Sequence, residues 1–201
     1  MKTLSPEQCM QIIEAALMVA GRPLTIAQLQ KLFDEHDSPE TSEIRDAISA
    51  LQEKYTDHGI EIQEVASGFQ CRAKSLLSPW ISKLWEERPP RYSRALLETL
   101  ALIAYRQPIT RAEIEDIRGV SASSNIVKTL MERDWIRIIG YRDIPGKPGL
   151  YATTKTFLDY FNLKNLDQLP PLAEFTDFVS KEELSPIQLE LPFTIDEQVT
   201  D

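Results

Sequence analysis

Two histidines, two cysteines and one glycine–lysine pair are the residues of this chain whose types suit chemistry, and their surroundings decide what they do. His36 and His58 have no second histidine or cysteine at helical spacing, and both fall in polar, turn-like sequence where a histidine is a solvated side chain. Cys9 and Cys71 lie far apart, as lone thiols that pack as small hydrophobes do. Gly146-Lys147 matches the end of a phosphate-binding loop only superficially. Tyr141 takes the place of its first glycine, and Pro148 stands where a Ser or Thr would reach magnesium. Beside Pro145 and Pro148 these glycines read as turn-formers. The carboxylate pairs Glu35/Asp37 and Glu182/Glu183 lack the apolar frame that would raise a pKa, so they read as solvated charge. No catalytic residue, cofactor or metal is expected, and the chemistry left to the chain is binding.

The elements that position such binding residues are announced by an internal repeat. Ala16-Leu17-Met18, Pro23-Leu24-Thr25, Ala27, Leu29 and Leu32 recur 85 positions on as Ala101-Leu102-Ile103, Pro108-Ile109-Thr110, Ala112, Ile114 and Ile117. Pro23 and Pro108 end one helix, and Thr25 and Thr110 cap the next. Gln28 and Glu113 stand at capping-box spacing, and Leu29/Leu32/Phe33 and Ile114/Ile117 predict one buried face. A third helix follows through Ile44, Ala47, Ile48, Leu51 and Tyr55, and again through Ile126, Val127, Leu130 and Met131. Strand-like runs come next: Ile60–Gln63 and Phe69–Cys71, then Ile136–Ile138 and Leu150–Ala152. The fold class is mainly α with small β wings (α+β): two tandem winged helix-turn-helix domains, 1–88 and 89–163. The boundary falls near Glu87-Arg88-Pro89-Pro90. A helix through Phe157, Leu158, Tyr160 and Phe161 closes the second domain with its aromatics inward. Residues 164–201 are expected to be an acidic, flexible tail, in which Leu189-Glu190-Leu191-Pro192-Phe193 reads as plain linker, with a short docking peptide as the alternative.

Charge narrows the partner. The net −9 divides into −5 over 1–88, +3 over 89–162 and −7 over 163–201, so free DNA meets like charge over most of the chain. The third helix of the first domain offers Glu43, Asp46 and Glu53 against Arg45 and Lys54. The second offers Ser123, Ser124, Asn125 and Lys128, with Arg137, Arg142 and Lys147 on its wing, and this supports the alternative of a winged-helix DNA-binding transcriptional regulator. The stretch Cys9–Ala20 is apolar on nearly every side. It is either a central core helix or, in part, a face for a second copy, through Ile12, Ile13, Ala16, Met18 and Val19. The longest apolar run, Ala15–Ala20, is far below the roughly 20 residues that span a bilayer, and the start has no signal-peptide pattern. A cytoplasmic protein with no membrane contact is expected.

The run Ala101-Leu102-Ile103-Ala104-Tyr105-Arg106-Gln107-Pro108-Ile109-Thr110-Arg111-Ala112-Glu113-Ile114-Glu115, followed by Ile117-Arg118-Gly119-Val120, resembles the signature of the segregation and condensation protein B (ScpB) family. Glu14-Ala15-Ala16-Leu17, Gly21-Arg22-Pro23-Leu24, Gly146-Lys147-Pro148-Gly149-Leu150-Tyr151 and Leu169-Pro170-Pro171-Leu172 extend the resemblance over about residues 10–172. Lys147 departs mildly, since relatives often carry Arg there. The resemblance implies a homodimer paired through its N-terminal domains that clasps the kleisin ScpA, which bridges the ATPase heads of an SMC dimer in chromosome condensation and segregation. This subunit would then do no chemistry, sit with the nucleoid through the complex, and meet DNA mostly indirectly, with weak direct binding left open. It also implies kleisin contact through Tyr105, Arg106, Gln107, Arg111, Glu113 and Arg118. The structural alternatives are that Arg118 stabilises its helix end and that Glu113 is used in its capping box.

Overall fold

The computed structural model describes residues 4–34, 36–84, 92–120 and 124–171, which divide into two units: 1–88 with 162 onward, and 89–161. In the first unit Ser5 starts helix α1 (Pro6–Val19). Its hydroxyl accepts the Gln8 N–H while the Gln8 side chain accepts the Ser5 N–H, closing a capping box ahead of Pro6. Thr25 and Gln28 do the same for α2 (Ile26–Gln30). Helix α3 (Thr41–Lys54) follows, then β1 (Ile60–Val65) and β2 (Gly68–Ala73), antiparallel with Ile60 opposite Ala73. Cys9, Ile13 and Leu17 pack with Leu29, Ile44, Ile48, Leu51, Ile62 and Phe69. Each fully buried Ile or Leu contributes roughly 1.5–3 kcal/mol. Leu24 adds a third strand to the wing, its N–H donating to the Phe69 carbonyl at 2.8 Å and its carbonyl accepting the Phe69 N–H at 2.9 Å. A short helix α4 (Ser78–Ile81) lies between the 3-10 turns Ser75–Leu77 and Ser82–Leu84.

The second unit repeats the order. Ser93 caps α5 (Arg94–Arg106), and β3 (Ile109–Thr110) leads into α6 (Arg111–Arg118), which ends at Gly119 in the left-handed region, φ 67°. Helix α7 (Ser124–Glu132), β4 (Ile136–Tyr141) and β5 (Gly149–Thr153) follow, the sheet running β3-β5-β4 and wholly antiparallel. Thr154 caps α8 (Lys155–Tyr160). Its aromatics face inward: Trp135 is buried, with the Tyr160 ring centroid at 4.5 Å and Phe161 at 5.5 Å.

Helix, short strand, helix, helix and hairpin therefore occur twice, but the first helices are equivalent at a spacing of 87, not 85. Cys9, Ile13 and Leu17 are buried where the second unit buries Leu96, Leu100 and Ala104. The cause is the connection, since α1 ends at Val19 ahead of Thr25, two residues further than α5 ends ahead of Thr110. A second correction concerns Leu32 and Ile117, both expected inside and both exposed. Leu32 lies beyond the end of the five-residue α2, and Ile117 falls to the side of the stripe that buries Ile114. Met131 is likewise exposed.

Residues 162–171, assigned by sequence to the second domain's end and the tail, bond to the first unit's hairpin. The Ala66 N–H donates to the Leu163 carbonyl at 3.0 Å, and the Gln63 and Gln70 amides donate to the Asn162 carbonyl and side chain at 2.8 and 3.0 Å. Lys164 pairs with Glu64 at 2.7 Å. Ser123, the Glu87–Pro90 boundary and everything from Leu172 onward, including Leu189–Phe193, lie outside the described residues. Among those described, no helix is long and apolar enough to cross a membrane.

Candidate functional site

His36 and His58 are both exposed, and among the described residues no three His, Cys, Asp or Glu side chains converge as a metal site would need. Cys9 is buried, and Cys71 is half-buried in a setting that pushes its thiol pKa up, chiefly through desolvation. Gly146-Lys147 forms the β4–β5 turn, with the Lys147 N–H donated to the Ile144 carbonyl.

The six positions implied for kleisin contact cluster where α5 hands over to α6. Gln107, Glu113, Arg118 and Arg111 are engaged inside their own unit. Gln107 clips the end of α5 to β5: its amide donates to the Ala104 carbonyl and the Thr153 hydroxyl, both at 3.0 Å, and its oxygen accepts the Thr153 N–H at 2.8 Å. Glu113 caps α6 through the Thr110 N–H at 2.9 Å and takes Arg142 at 2.6 Å. The Thr110 backbone N–H first, and the guanidinium after it, hold this carboxyl below the usual carboxylate range. Arg118 has a side chain only 8% exposed, reaches Glu98 at 3.3 Å and leaves its buried Nε without a partner. Arg111 pairs with Glu115 at 3.0 Å, Arg106 is exposed on the last turn of α5, and Tyr105 is half-buried there.

Beside them runs a groove of about 510 Å³ between α6, α7 and β5, with Val127, Met131 and Tyr151 as its apolar lining and Arg111, Lys128 and Glu132 as its charged rim. Spacing alone missed Met131 and Tyr151, because the helical stripe assigned Met131 to the core and the strand pattern did not say which face Tyr151 takes.

In the first unit the candidate dimerisation residues separate. Ile13 is fully buried in its own core, a correction for that position, and Ile12 and Ala16 pack half-buried against that core. Met18 is exposed, and Val19 is 86% exposed. The middle of α1 is also less apolar than its sequence suggests. Glu14 accepts the Tyr55 hydroxyl and takes Lys54 at 3.1 Å, and these bonds, Tyr55 foremost, lower its pKa. Leu76, Trp80 and Leu84 are strongly exposed, and their four-residue spacing is legible in the sequence, though it spans the 3-10 turns on either side of α4.

The model of the family described as segregation and condensation complex subunit ScpB matches residues 11–172. A segregation and condensation protein B homolog from Coxiella burnetii is 57% identical over 166 residues, covering 83% of this chain and 79% of the relative. Segregation and condensation protein B of Geobacillus thermodenitrificans is 46% identical over 170 residues, covering 83% and 79%. The crystal structure of ScpB from Mycobacterium tuberculosis aligns with 80% of this chain and 98% of its own at 29% identity, TM-score 0.37. On the strength of the family match and the two sequence relatives, the chain belongs to the ScpB family of segregation and condensation complex subunits.

Proposed function

We propose that the protein is a non-catalytic adapter that dimerises and binds the kleisin ScpA, reaching the SMC ATPase through it, in the cytoplasm and at the nucleoid, in chromosome condensation and segregation. Family membership over residues 11–172 is the observation that carries this reading. On the surface, the groove at Val127, Met131 and Tyr151 suits a few apolar anchors of a partner segment, with charged rims to set its register. The exposed Leu76, Trp80 and Leu84, with Met18 and Val19, suit a self-complementary face between two copies. The proposed domain roles are dimerisation for the N-terminal unit and kleisin contact for the C-terminal one.

The regulator reading gains little support. Of the cations that would meet phosphate, Arg142 is paired with Glu113, and Lys128 shares its charge with Glu132 at 3.5 Å. Co-purification with ScpA, combined with light scattering, tests the proposal. A stable complex and a mass of two chains are expected. A single-chain mass and no ScpA binding, alongside tight sequence-specific duplex binding, would replace it with the regulator.

A further inference from the structure

The wing of the second unit ends in an edge that no described strand uses. In the order β3-β5-β4, strand β4 lies at the rim, and among the described residues its outer side pairs with no strand. In an antiparallel pair, alternate residues turn both N–H and C=O away from the neighbouring strand, so about half of the β4 backbone is open to a further chain. Lysine, proline and bulges are devices that blunt such edges. Ile136–Tyr141 contains neither lysine nor proline, and a register shift between Ile138 and Gly140 is its one interruption.

The side chains of this hairpin define what kind of chain fits. Ile139 is 51% exposed, Tyr141 is 68% exposed, and Ile144 in the turn is exposed as well. Arg137 and Lys147 are exposed too, and no carboxylate pairs with either among the described residues. Arg142 is taken by Glu113, and Asp143 is the opposing charge in the turn. Residues 89–162 together carry net +3. The same edge of a second copy would set +3 against +3, and a DNA backbone would leave Ile139, Tyr141 and Ile144 without apolar partners. An extended polypeptide with apolar side chains at alternate positions and carboxylates beside them satisfies the open backbone, the apolar side chains and the two cations together.

We propose, resting on the kleisin reading above, that β4 is the docking edge for such an acidic, extended segment of the kleisin. The segment adds to the sheet as an outer strand, sets apolar side chains against Ile139 and Tyr141, and brings carboxylates to Arg137 and Lys147. This contact is separate from the groove between α6, α7 and β5, since no lining residue of that groove belongs to β4.

The test titrates the full-length chain with full-length ScpA and follows hydrogen exchange. At saturation, the amides of β4 that β5 does not engage are expected to slow at least about tenfold while those of β3 and β5 hold nearly steady. Tyr141→benzoylphenylalanine, irradiated in the complex, is expected to mark a stretch of ScpA that alternates apolar residues and carries net negative charge. Ile139→Asp, or Arg137→Glu with Lys147→Glu, all at exposed positions, should weaken ScpA binding about tenfold and leave the circular dichroism unchanged. ScpA that binds without slowing β4 exchange, adducts on a cationic or helical stretch, or slowing spread evenly over β3, β4 and β5 would overturn the proposal and leave the kleisin reading standing. A chain that does not bind ScpA at all would remove both.

Discussion

A Cβ built on Gly68 would stand 2.3 Å from the backbone oxygen of Leu24, which is nearer than any real side chain comes. The close approach lets Leu24 join the hairpin as its third strand, and Gly68 also sits at φ 135°, a conformation that L side chains rarely adopt. Gly68→Ala is expected to destabilise the first unit by roughly 2–3 kcal/mol. Thermal or urea unfolding measures it, and an unchanged midpoint would mean that the strand contact is dispensable.

Gln107 joins the end of α5 to Thr153 by bonds that no shorter side chain can make. Gln107→Ala should cost about 1–3 kcal/mol. A double-mutant cycle with Thr153→Val should show positive coupling, whereas simple additivity would show that the two residues act separately.

The Tyr55 hydroxyl is donated to Glu14, and this bond, followed by burial, pushes its pKa up from 10.0 to about 12. A hydroxyl kept neutral longer in the fold than in the open chain contributes stability that is complete below pH 10 and is lost as pH rises through 12. Tyr55→Phe is expected to lose about 1.5–3 kcal/mol at neutral pH and to flatten the decline in stability between pH 10 and 12. Denaturant midpoints across that range provide the check.

Arg118 is buried on its stem and incompletely bonded at its head. Replacing it by the similarly shaped Met should change stability by less than about 1 kcal/mol. Glu98→Ala, which strips the guanidinium of its carboxylate, should cost more than Arg118→Met does. If Arg118→Met is stable yet fails to hold ScpA in a binding titration, Arg118 contributes to the partner surface.

Trp80→Ser combined with Leu84→Ser should halve the mass seen by light scattering and leave the circular dichroism unchanged. Ile13→Ala, a core truncation, should instead cost roughly 2–5 kcal/mol. A double variant that stays dimeric would move the interface elsewhere.

The capping boxes at Thr25/Gln28 and Thr110/Glu113 were legible because both partners lie within four residues of chain, and the structure closes each one as spacing predicts. Core membership at Leu29, Ile44, Ile48 and Leu130 was legible for a similar reason, since periodicity reports it directly. The equivalence of α1 and α5 was not, because Ala16-Leu17-Met18 aligns by identity while burial follows the two-residue difference in the connection. At the candidate site, the sequence pointed to the right stretch but not to what each side chain does there. That Gln107 is occupied by Thr153 depends on a partner 46 positions away, and no local pattern encodes it.

The anchoring of Asn162, Leu163 and Lys164 on the hairpin around Gln63 and Gln70 means that the first unit is not continuous along the chain. On the ribosome, the helices and hairpin of residues 4–84 emerge well before the strap that completes them, and the whole second unit is synthesised in between. At about 5–20 residues per second, the hairpin waits several seconds for that strap, a window in which the side-chain amide N–H groups of Gln63 and Gln70 and the Ala66 N–H lack the acceptors that Asn162 and Leu163 supply.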